Sequence, residues 1–224
     1  MQHFTYRTNT RIDRKAKLLG KGAYSKVYRF MNDQAEHAYA VKVHGHGRRS
    51  VEDGCHEIRV LHLIWVNDRD DLASYVRLHD YFSYRGKIHI ITHLYGMGLD
   101  KFLKRKRSLP LPLSQVQNLA QQLFRSVAFL HDMKLVHTDI KLENILLDDD
   151  TGTLNIGSGM PSTIAGYSYR KRKPSKIPVN KIIRLGDFGS ATFEEEEHAS
   201  EITTRPYRAP EVILKQRWSL PSDI

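Results

Sequence analysis

Cysteine is almost absent from this 224-residue chain, since Cys55 is the single one. One cysteine cannot form a disulfide within the chain, which is typical of proteins in a reducing intracellular compartment. Long apolar runs are also absent. No window approaches the length that crosses a bilayer, and residues 1–7 lack the apolar segment of a signal peptide. The sequence therefore predicts an intracellular protein with no membrane partner.

Repeats and nucleic-acid motifs are missing as well. The chain has no internal repeat, no heptad pattern and no RNA- or DNA-binding motif with stacking aromatic residues, so direct nucleic-acid binding is a minor hypothesis. Its net charge is nevertheless +10, which favours anionic partners such as ATP, acidic proteins or nucleic acid. Two basic clusters, at residues 104–107 and 170–173, predict nuclear-import signals or docking patches, with solvated loops as the alternative.

The composition is 40% apolar and 27% charged, as in soluble globular proteins, and the chain is long enough for one large domain or two joined lobes. Residues 1–95 predict an α+β section with strands at 18–28, 38–43, 76–78 and 87–91. A helix is predicted from Val51 to about Val66, with Ser50 as its N-cap. The predicted buried face of this helix consists of Cys55, Ile58, Leu61 and Trp65.

Residues 96–224 predict a mainly helical section. Ser114 is expected to cap an amphipathic helix that leads into residues 137–144. The apolar face of this helix consists of Val116, Leu119, Leu123, Val127 and Leu130. Between about 148 and 180 the composition changes to glycine, serine, proline, tyrosine and basic residues. This change predicts an insertion between two short strands.

The run His-Thr-Asp-Ile-Lys-Leu-Glu-Asn at 137–144 carries the most chemical information. It places a carboxylate, an ammonium and an amide ahead of an apolar strand, and Asp187-Phe-Gly and Ala209-Pro-Glu follow it. Phosphoryl transfer from ATP needs such groups. Asp139 would accept the proton of the substrate hydroxyl, and Lys141 would stabilise the charge of the transferred group. Asn144 and Asp187 would bind Mg²⁺.

A glycine-bearing turn and a strand lysine predict a nucleotide site in the first section. Glycines let backbone N–H groups approach the ATP phosphates closely. Lys42 would hold the α- and β-phosphates, and Ala40 with Val27 would enclose the adenine. The predicted nucleotide-binding residues of the turn are Leu19, Gly20, Lys21, Gly22, Ala23, Tyr24, Ser25, Lys26 and Val27.

Lys42 needs a partner, because an uncompensated ammonium is costly to desolvate. Glu57 is the predicted partner, since it lies one turn before Leu61 and shares a helix face with it. Glu52 is the alternative partner. A further interpretation makes Glu57 a surface residue of an amphipathic helix.

The adenine edge of a nucleotide needs backbone donors and acceptors. The strand that ends near Ile91 leads to such groups. Register alone places Thr92 as the gatekeeper and predicts that His93 and Tyr95 supply the hinge carbonyl and amide. A slip of one residue is the alternative.

These segments together resemble the LAMMER (CDC-like) kinases of the CMGC group, from about residue 12 to the end. The resemblance rests on His-Thr-Asp at 137–139, the runs 187–193 and 204–214, and the insertion before Lys181. It implies a protein-kinase-like two-lobe fold, with a small β-rich N-lobe at 1–95 and part of a mainly helical C-lobe at 96–224. It also implies ATP-dependent transfer to serine, threonine and tyrosine, Arg/Ser-rich nuclear protein substrates, and a nuclear location. We expect a monomer.

Thr138 stands where most kinases have an arginine that pairs with an activation-loop phosphate. We therefore expect activity that does not depend on phosphorylation of that loop. The acidic run at 194–197 is interpreted either as a mimic of that charge or as a plain solvated run. The chain departs from the family pattern at Ser25, the third glycine position, and at His93, Leu142 and Gly186.

The chain ends at Ile224, where the family pattern would enter a long buried helix. Asp223 matches the aspartate that anchors the catalytic loop from that helix, and Glu211 would pair with an arginine beyond it. We therefore expect a truncated C-lobe with exposed apolar surface, and a polypeptide that is poorly soluble or inactive alone. The alternative function is a catalytically inactive kinase that serves as an ATP-binding or interaction module.

Overall fold

The structure is a computed structural model that describes residues 16–22, 25–31, 38–105, 111–148, 182–196 and 199–224. Several sequence predictions lie outside these ranges. They are the insertion after Asp148, the basic cluster at 170–173, residues 106–107 of the other basic cluster, Ala23 and Tyr24 of the glycine turn, and Glu197 of the acidic run.

Among the described residues, the upper lobe consists of a five-stranded antiparallel sheet and the helix at 48–67. Its strands are β1 Lys17–Lys21, β2 Ser25–Met31, β3 Ala38–His44, β4 Leu78–Tyr84 and β5 Lys87–His93. The five strands are ordered β1-β2-β3-β5-β4. Lys42 lies opposite Val27 of β2 and Ile90 of β5, so this lysine is in the central strand of the sheet.

The predicted strand at 76–78 is wrong in its bounds, because β4 begins only at Leu78. The backbone N–H of Val76 donates instead to the Leu185 carbonyl at 3.0 Å. Tyr75 forms an isolated parallel bridge with the same residue. The segment before β4 therefore connects the upper lobe to the lower lobe.

Helix α1, Arg48–Asn67, packs on the sheet and begins three residues earlier than predicted. Gly47 occupies its N-cap position with a φ of 100° and forms no side-chain cap hydrogen bond. Ser50 lies inside the first turn and is not the cap. Glycine suits this position because a positive φ costs it little.

The buried face of α1 also differs from the prediction. The buried residues are Gly54, Glu57, Val60, Leu61 and Ile64. Cys55 and Trp65 are exposed, so the face is rotated by about one residue, or about 100° around the helix axis. A Cβ at residue 54 would lie 2.8 Å from the Ile88 Cβ of β5. The close approach at this glycine, and not the apolar pattern alone, sets which face of α1 is buried.

The lower lobe contains helices and short paired strands. The helices are α2 Leu99–Arg105, α3 Leu113–Asp132 and α4 Pro210–Ile213. The strands are β6 Leu135–Val136, β7 Ile145–Leu147, β8 Ile183–Leu185 and β9 Thr192–Phe193. β6 pairs with β9 and β7 pairs with β8, both antiparallel. As predicted, two short strands flank the segment at 148–180.

Helix α3 follows the predicted amphipathic pattern with two differences. Pro112, not Ser114, occupies its N-cap position. Val127 and Leu130 are buried, but Val116 is 46% exposed. The first turn of α3 thus extends beyond the apolar core.

One apolar cluster joins the two lobes. It includes residues of α1, β5, α3, β7 and β8 together with Phe188. Tyr75 and Phe188 are almost fully buried, and their ring centroids lie 5.8 Å apart at an edge-on angle. Burying a side chain of this size stabilises a fold by roughly 2–3 kcal/mol. The cluster therefore fixes α1 against the segment that carries Asp187.

Among the described residues, no helix is both long and apolar enough to span a membrane.

Candidate active site

Lys42 connects the two lobes through a pair of carboxylates. Its Nζ lies 2.7 Å from Glu57 Oε1 on α1 and 2.7 Å from Asp187 Oδ1 on the loop after β8. The Lys42 and Glu57 side chains are 17% and 5% exposed, whereas Asp187 is 48% exposed. Glu52, the alternative partner, instead pairs with Arg48 on the exposed side of α1. Of the two candidates, Glu57 is the one in contact with Lys42.

The charges of this cluster stabilise each other. Burial by itself lowers the pKa of Lys42, but the carboxylates of Glu57 and Asp187 outweigh burial and hold that pKa above its ordinary value. Burial likewise raises the pKa of Asp187, but the Lys42 ammonium outweighs it and lowers that pKa. Lys42 and Asp187 are therefore both ionised at neutral pH.

Asp139 is held by groups from two segments of the lower lobe. Its Oδ1 accepts hydrogen bonds from the Thr204 hydroxyl at 2.7 Å and from the Thr204 backbone N–H at 3.1 Å. Its Oδ2 forms a short ion pair with Lys141. The Lys141 ammonium also donates to the Thr204 hydroxyl at 2.9 Å. Asp139, Lys141 and Thr204 thus form one closed polar triangle.

The loop that carries Asp139 is held by its backbone. Asp223, whose side chain is 1% exposed, accepts the N–H groups of His137 at 2.8 Å and Thr138 at 2.9 Å. His131 contacts the same carboxylate at 3.2 Å. Thr138 has a φ of 67°, which is uncommon outside glycine. The anchoring role that the sequence predicts for Asp223 is confirmed by these contacts.

His137 ties the catalytic loop to the residue before Asp187. Its Nε2 lies 3.1 Å from the Gly186 carbonyl, and its Nδ1 accepts the Asp139 N–H at 3.2 Å. Both contacts are satisfied only by the neutral imidazole that carries its proton on Nε2. Burial lowers the pKa of His137, which agrees with this neutral form.

Asn144 and Asp187 offer oxygen atoms to a metal ion. The Asn144 amide nitrogen donates to the Asp139 carbonyl at 2.9 Å and to Asp139 Oδ2 at 3.2 Å, which leaves the amide oxygen to bind a metal. The described residues contain no cluster of three or more His, Cys, Asp or Glu side chains suited to a metal ion.

Four of the residues predicted to lie around the nucleotide share one face of the sheet. Residues directly opposite each other on paired strands point to the same side. Val27 lies opposite Lys42, and Ala40 lies opposite Thr92, so these four side chains line one surface. In the glycine turn, the Gly22 N–H donates to the Ser25 carbonyl at 2.9 Å and closes the β1–β2 hairpin.

The side chains of His93 and Tyr95 are directed away from that surface. His93 alternates with Thr92 along β5, and its ring lies 6.2 Å from Tyr39 and 5.7 Å from His79. The Tyr95 hydroxyl accepts the Arg77 backbone N–H at 3.1 Å. Contacts of His93 and Tyr95 with a nucleotide on that surface would therefore use their backbone, and the predicted hinge stays a prediction.

Sequence reasoning missed three residues that contact the site. The sequence pattern includes Thr204 only as part of the run 204–214, but its hydroxyl donates a hydrogen bond to Asp139. His44 contacts Glu57, and His56 Nε2 lies 2.6 Å from the Ala191 carbonyl and ties α1 to the loop after Asp187. The position of His56, immediately before Glu57, was the one available signal. Thr204 and His44 become visible only when the chain is folded.

The comparisons with known proteins agree with this geometry. The family described as protein kinase domain matches residues 14–224. A solved crystal structure of a kinase domain superposes with a TM-score of 0.76 at 29% identity, covering 92% of this chain and 59% of that one. The chain belongs to the protein kinase family.

Several of its relatives among curated proteins are named dual-specificity protein kinases. "Dual specificity protein kinase lkh1" of Schizosaccharomyces pombe is 41% identical over 93% of this chain, and "Dual specificity protein kinase KNS1" of Saccharomyces cerevisiae is 40% identical over 92%. "Dual specificity protein kinase CLK2" of Homo sapiens is 37% identical over 92%. The predicted resemblance to LAMMER kinases is thus confirmed. The chain spans 29%, 28% and 39% of the lengths of these three relatives.

Proposed function

We propose that this protein is an ATP-dependent protein kinase that transfers the γ-phosphoryl group to serine, threonine and tyrosine hydroxyls. The observation that carries the proposal is the Lys42 ammonium shared between Glu57 and Asp187. Kinase catalysis requires the strand lysine paired with its helix glutamate and the metal-binding aspartate in place at the same time. In this structure one atom, Lys42 Nζ, contacts both carboxylates.

Each side chain has a defined part in the proposed reaction. The substrate hydroxyl loses its proton to Asp139 as its oxygen bonds to the γ-phosphorus, and the bond from that phosphorus to the leaving oxygen of ADP breaks. Lys141 stabilises the charge on the transferred group. Asn144 and Asp187 would hold Mg²⁺, which neutralises phosphate charge when bound.

The nucleotide would lie between the sheet and the lower lobe. Val27 and Ala40 would enclose the adenine, with Thr92 behind it and the backbone of His93 and Tyr95 at its edge. The glycine turn, residues 19–27, would cover the phosphates, which Lys42 contacts. This arrangement divides the protein near residue 95, with residues 1–95 as the N-lobe and 96–224 in the C-lobe.

Basic Ser/Arg-rich proteins are the proposed substrates, and the nucleus is the proposed location. The resemblance to CDC-like kinases supports both proposals. The acidic side chains Glu195 and Glu196, exposed just after β9, add an attraction for basic peptides. Lys134 already pairs with Glu194 at 3.8 Å, so the attraction would come mainly from the other two residues.

Thr138 supports activity without loop phosphorylation. Its side chain is buried, and its hydroxyl donates to the Ser190 carbonyl at 2.7 Å. The Thr203 hydroxyl donates in turn to the Thr138 carbonyl at 2.7 Å. Hydrogen bonds between uncharged groups thus connect Thr138 to the segments of Ser190 and Thr203. An arginine at position 138 would instead need a phosphate as its partner. Phosphatase-treated protein is expected to transfer phosphate, and activity that returns only on rephosphorylation would contradict this expectation.

The decisive experiment compares wild-type protein with Asp139→Ala on a basic Ser/Arg peptide, with transfer of labelled phosphate as the measurement. Loss of the proton acceptor is expected to lower kcat about 10³-fold. Asp70→Ala, which removes an exposed carboxylate, is the matched control and should retain wild-type activity. Equal activity of wild type and Asp139→Ala would overturn the assignment. ATP binding by wild type without transfer would favour the non-catalytic module.

A further inference from the structure

His44 contacts the carboxylate that pairs with Lys42. It is the last residue of β3, and its side chain is 4% exposed. Its Nε2 lies 3.1 Å from Glu57 Oε2, while Glu57 Oε1 accepts from Lys42 at 2.7 Å. Both oxygens of Glu57 are therefore held by side chains of the same strand, two residues apart.

Gly54 makes room for this contact. A Cβ at residue 54 would lie 3.2 Å from His44 Cδ2 and 2.8 Å from Ile88 Cβ. Glycine is unfavourable inside a helix, so its presence one turn before Glu57 calls for a packing reason. The reason is that the His44 ring and Ile88 lie directly under the helix backbone at this point.

The surroundings of the ring define how it bonds. Nδ1 is buried and has no hydrogen-bond partner among the described residues. A neutral imidazole has one donor and one acceptor nitrogen, whereas an imidazolium has two donors. Because no described residue offers the buried Nδ1 an acceptor, we place the ring proton on Nε2, directed at Glu57.

We propose that His44 is a positioning residue for the Lys42–Glu57 pair. It fixes Oε2 of Glu57 through its Nε2–H donor and thereby orients Oε1 toward the Lys42 ammonium. The carboxylate then cannot rotate away from Lys42 without losing a buried hydrogen bond. The inference rests on the proposed kinase function, because Lys42 matters here as the residue that holds ATP phosphates.

Two substitutions separate positioning from packing. His44→Leu removes the donor and fills the space of the ring with an apolar side chain of similar size. His44→Gln keeps an N–H donor at a reach close to that of Nε2. We expect His44→Leu to lower kcat about tenfold with an unchanged KM for peptide, and His44→Gln to recover most of that loss. Wild-type kcat in His44→Leu, or equal losses in both variants, would overturn the inference.

A second measurement does not depend on phosphoryl transfer. Long-range ¹H–¹⁵N NMR of the imidazole rings distinguishes tautomers, and the His44 signal is assigned by its loss in His44→Gln. We expect the form protonated on Nε2, and a shift of that signal in Glu57→Gln. An unshifted signal would overturn the contact whatever the activity. A shifted signal in a protein that transfers no phosphate would leave the contact intact and reject the proposed function instead.

Discussion

Glu57 in the upper lobe and Asp139 in the lower lobe are held by different kinds of donor. Glu57 is bonded by the side chains of Lys42 and His44, both on β3. Asp139 is bonded by the side chains of Lys141 and Asn144 and by the hydroxyl and the backbone N–H of Thr204. The loop beneath Asp139 is fixed in turn by backbone N–H groups that donate to Asp223.

This difference shows where the site can be disturbed. A contact made by two side chains on separate elements depends on how the helix lies against the sheet. A contact made through the backbone depends on the fold of the loop itself. We therefore expect changes in the upper lobe to act through the position of α1 on the sheet, and changes in the lower lobe to act through the fold of the catalytic loop.

Lys42→Met gives the largest effect and acts on the upper lobe. It removes a preorganised donor to the phosphates, which typically costs about 10²- to 10³-fold in kcat. It also leaves the Glu57 carboxylate, 5% exposed, without its ammonium partner. Peptide phosphorylation and a thermal melt are the measurements, and both values are expected to fall.

The control for this substitution is Lys17→Met, which removes an exposed lysine from the start of β1, outside the proposed nucleotide site. It should change neither measurement appreciably. If Lys42→Met lowered the melting temperature no more than Lys17→Met does, the upper lobe would not depend on the ion pair. The contrast between the two lobes would then fail.

Asp223→Asn acts on the lower lobe, with an effect expected mainly in stability. An asparagine amide has one acceptor atom and one donor atom at its end. It therefore cannot accept the backbone N–H groups of both His137 and Thr138 as the carboxylate does. The expected loss is about 2–3 kcal/mol in the free energy of unfolding. Urea denaturation measures it, with Asp70→Asn as the exposed control. An unchanged midpoint would show that the loop holds its shape without this anchor.

The order of functional groups along the chain could be predicted from sequence, because the chemistry depends on residue type and spacing. Lys42 contacts both Glu57 and Asp187, and Asp139 contacts Lys141 and Asn144, as the spacing indicates. The strands of the upper lobe were also recognisable from their alternation. Their exact partners follow from register, which no short segment encodes by itself.

What could not be predicted depends on contacts between distant segments. Thr204 lies 65 residues after Asp139, and only folding of the intervening chain brings its hydroxyl there. The buried face of α1 was misjudged because Gly54 and Glu57 are not apolar. Their burial follows from close packing on Ile88 and from ion pairing with Lys42, neither of which a hydrophobic pattern records.

Lowering the pH from 7.5 to 5.5 should destabilise the lower lobe more than the Lys42–Glu57 pair. This effect is expected to be smaller than those of Lys42→Met and Asp223→Asn. Burial holds the pKa of His137 below its ordinary value, whereas the unfolded chain protonates histidine below about pH 6.5. The unfolded state therefore binds more protons, and stability falls as the pH falls. Lys42, whose pKa is raised, stays charged throughout.

At pH 5.5 the expected loss of stability from His137 is on the order of 1 kcal/mol, measured by urea denaturation across the pH range. His137→Gln, which does not titrate, should remove that share of the pH dependence. His89 in the upper sheet also has a pKa lowered by burial, so His89→Gln is the matched comparison and should remove a separate share. If His137→Gln kept the full wild-type slope, then His137 would not be the neutral link between the catalytic loop and Gly186, and the lower lobe would owe its acid sensitivity to other groups.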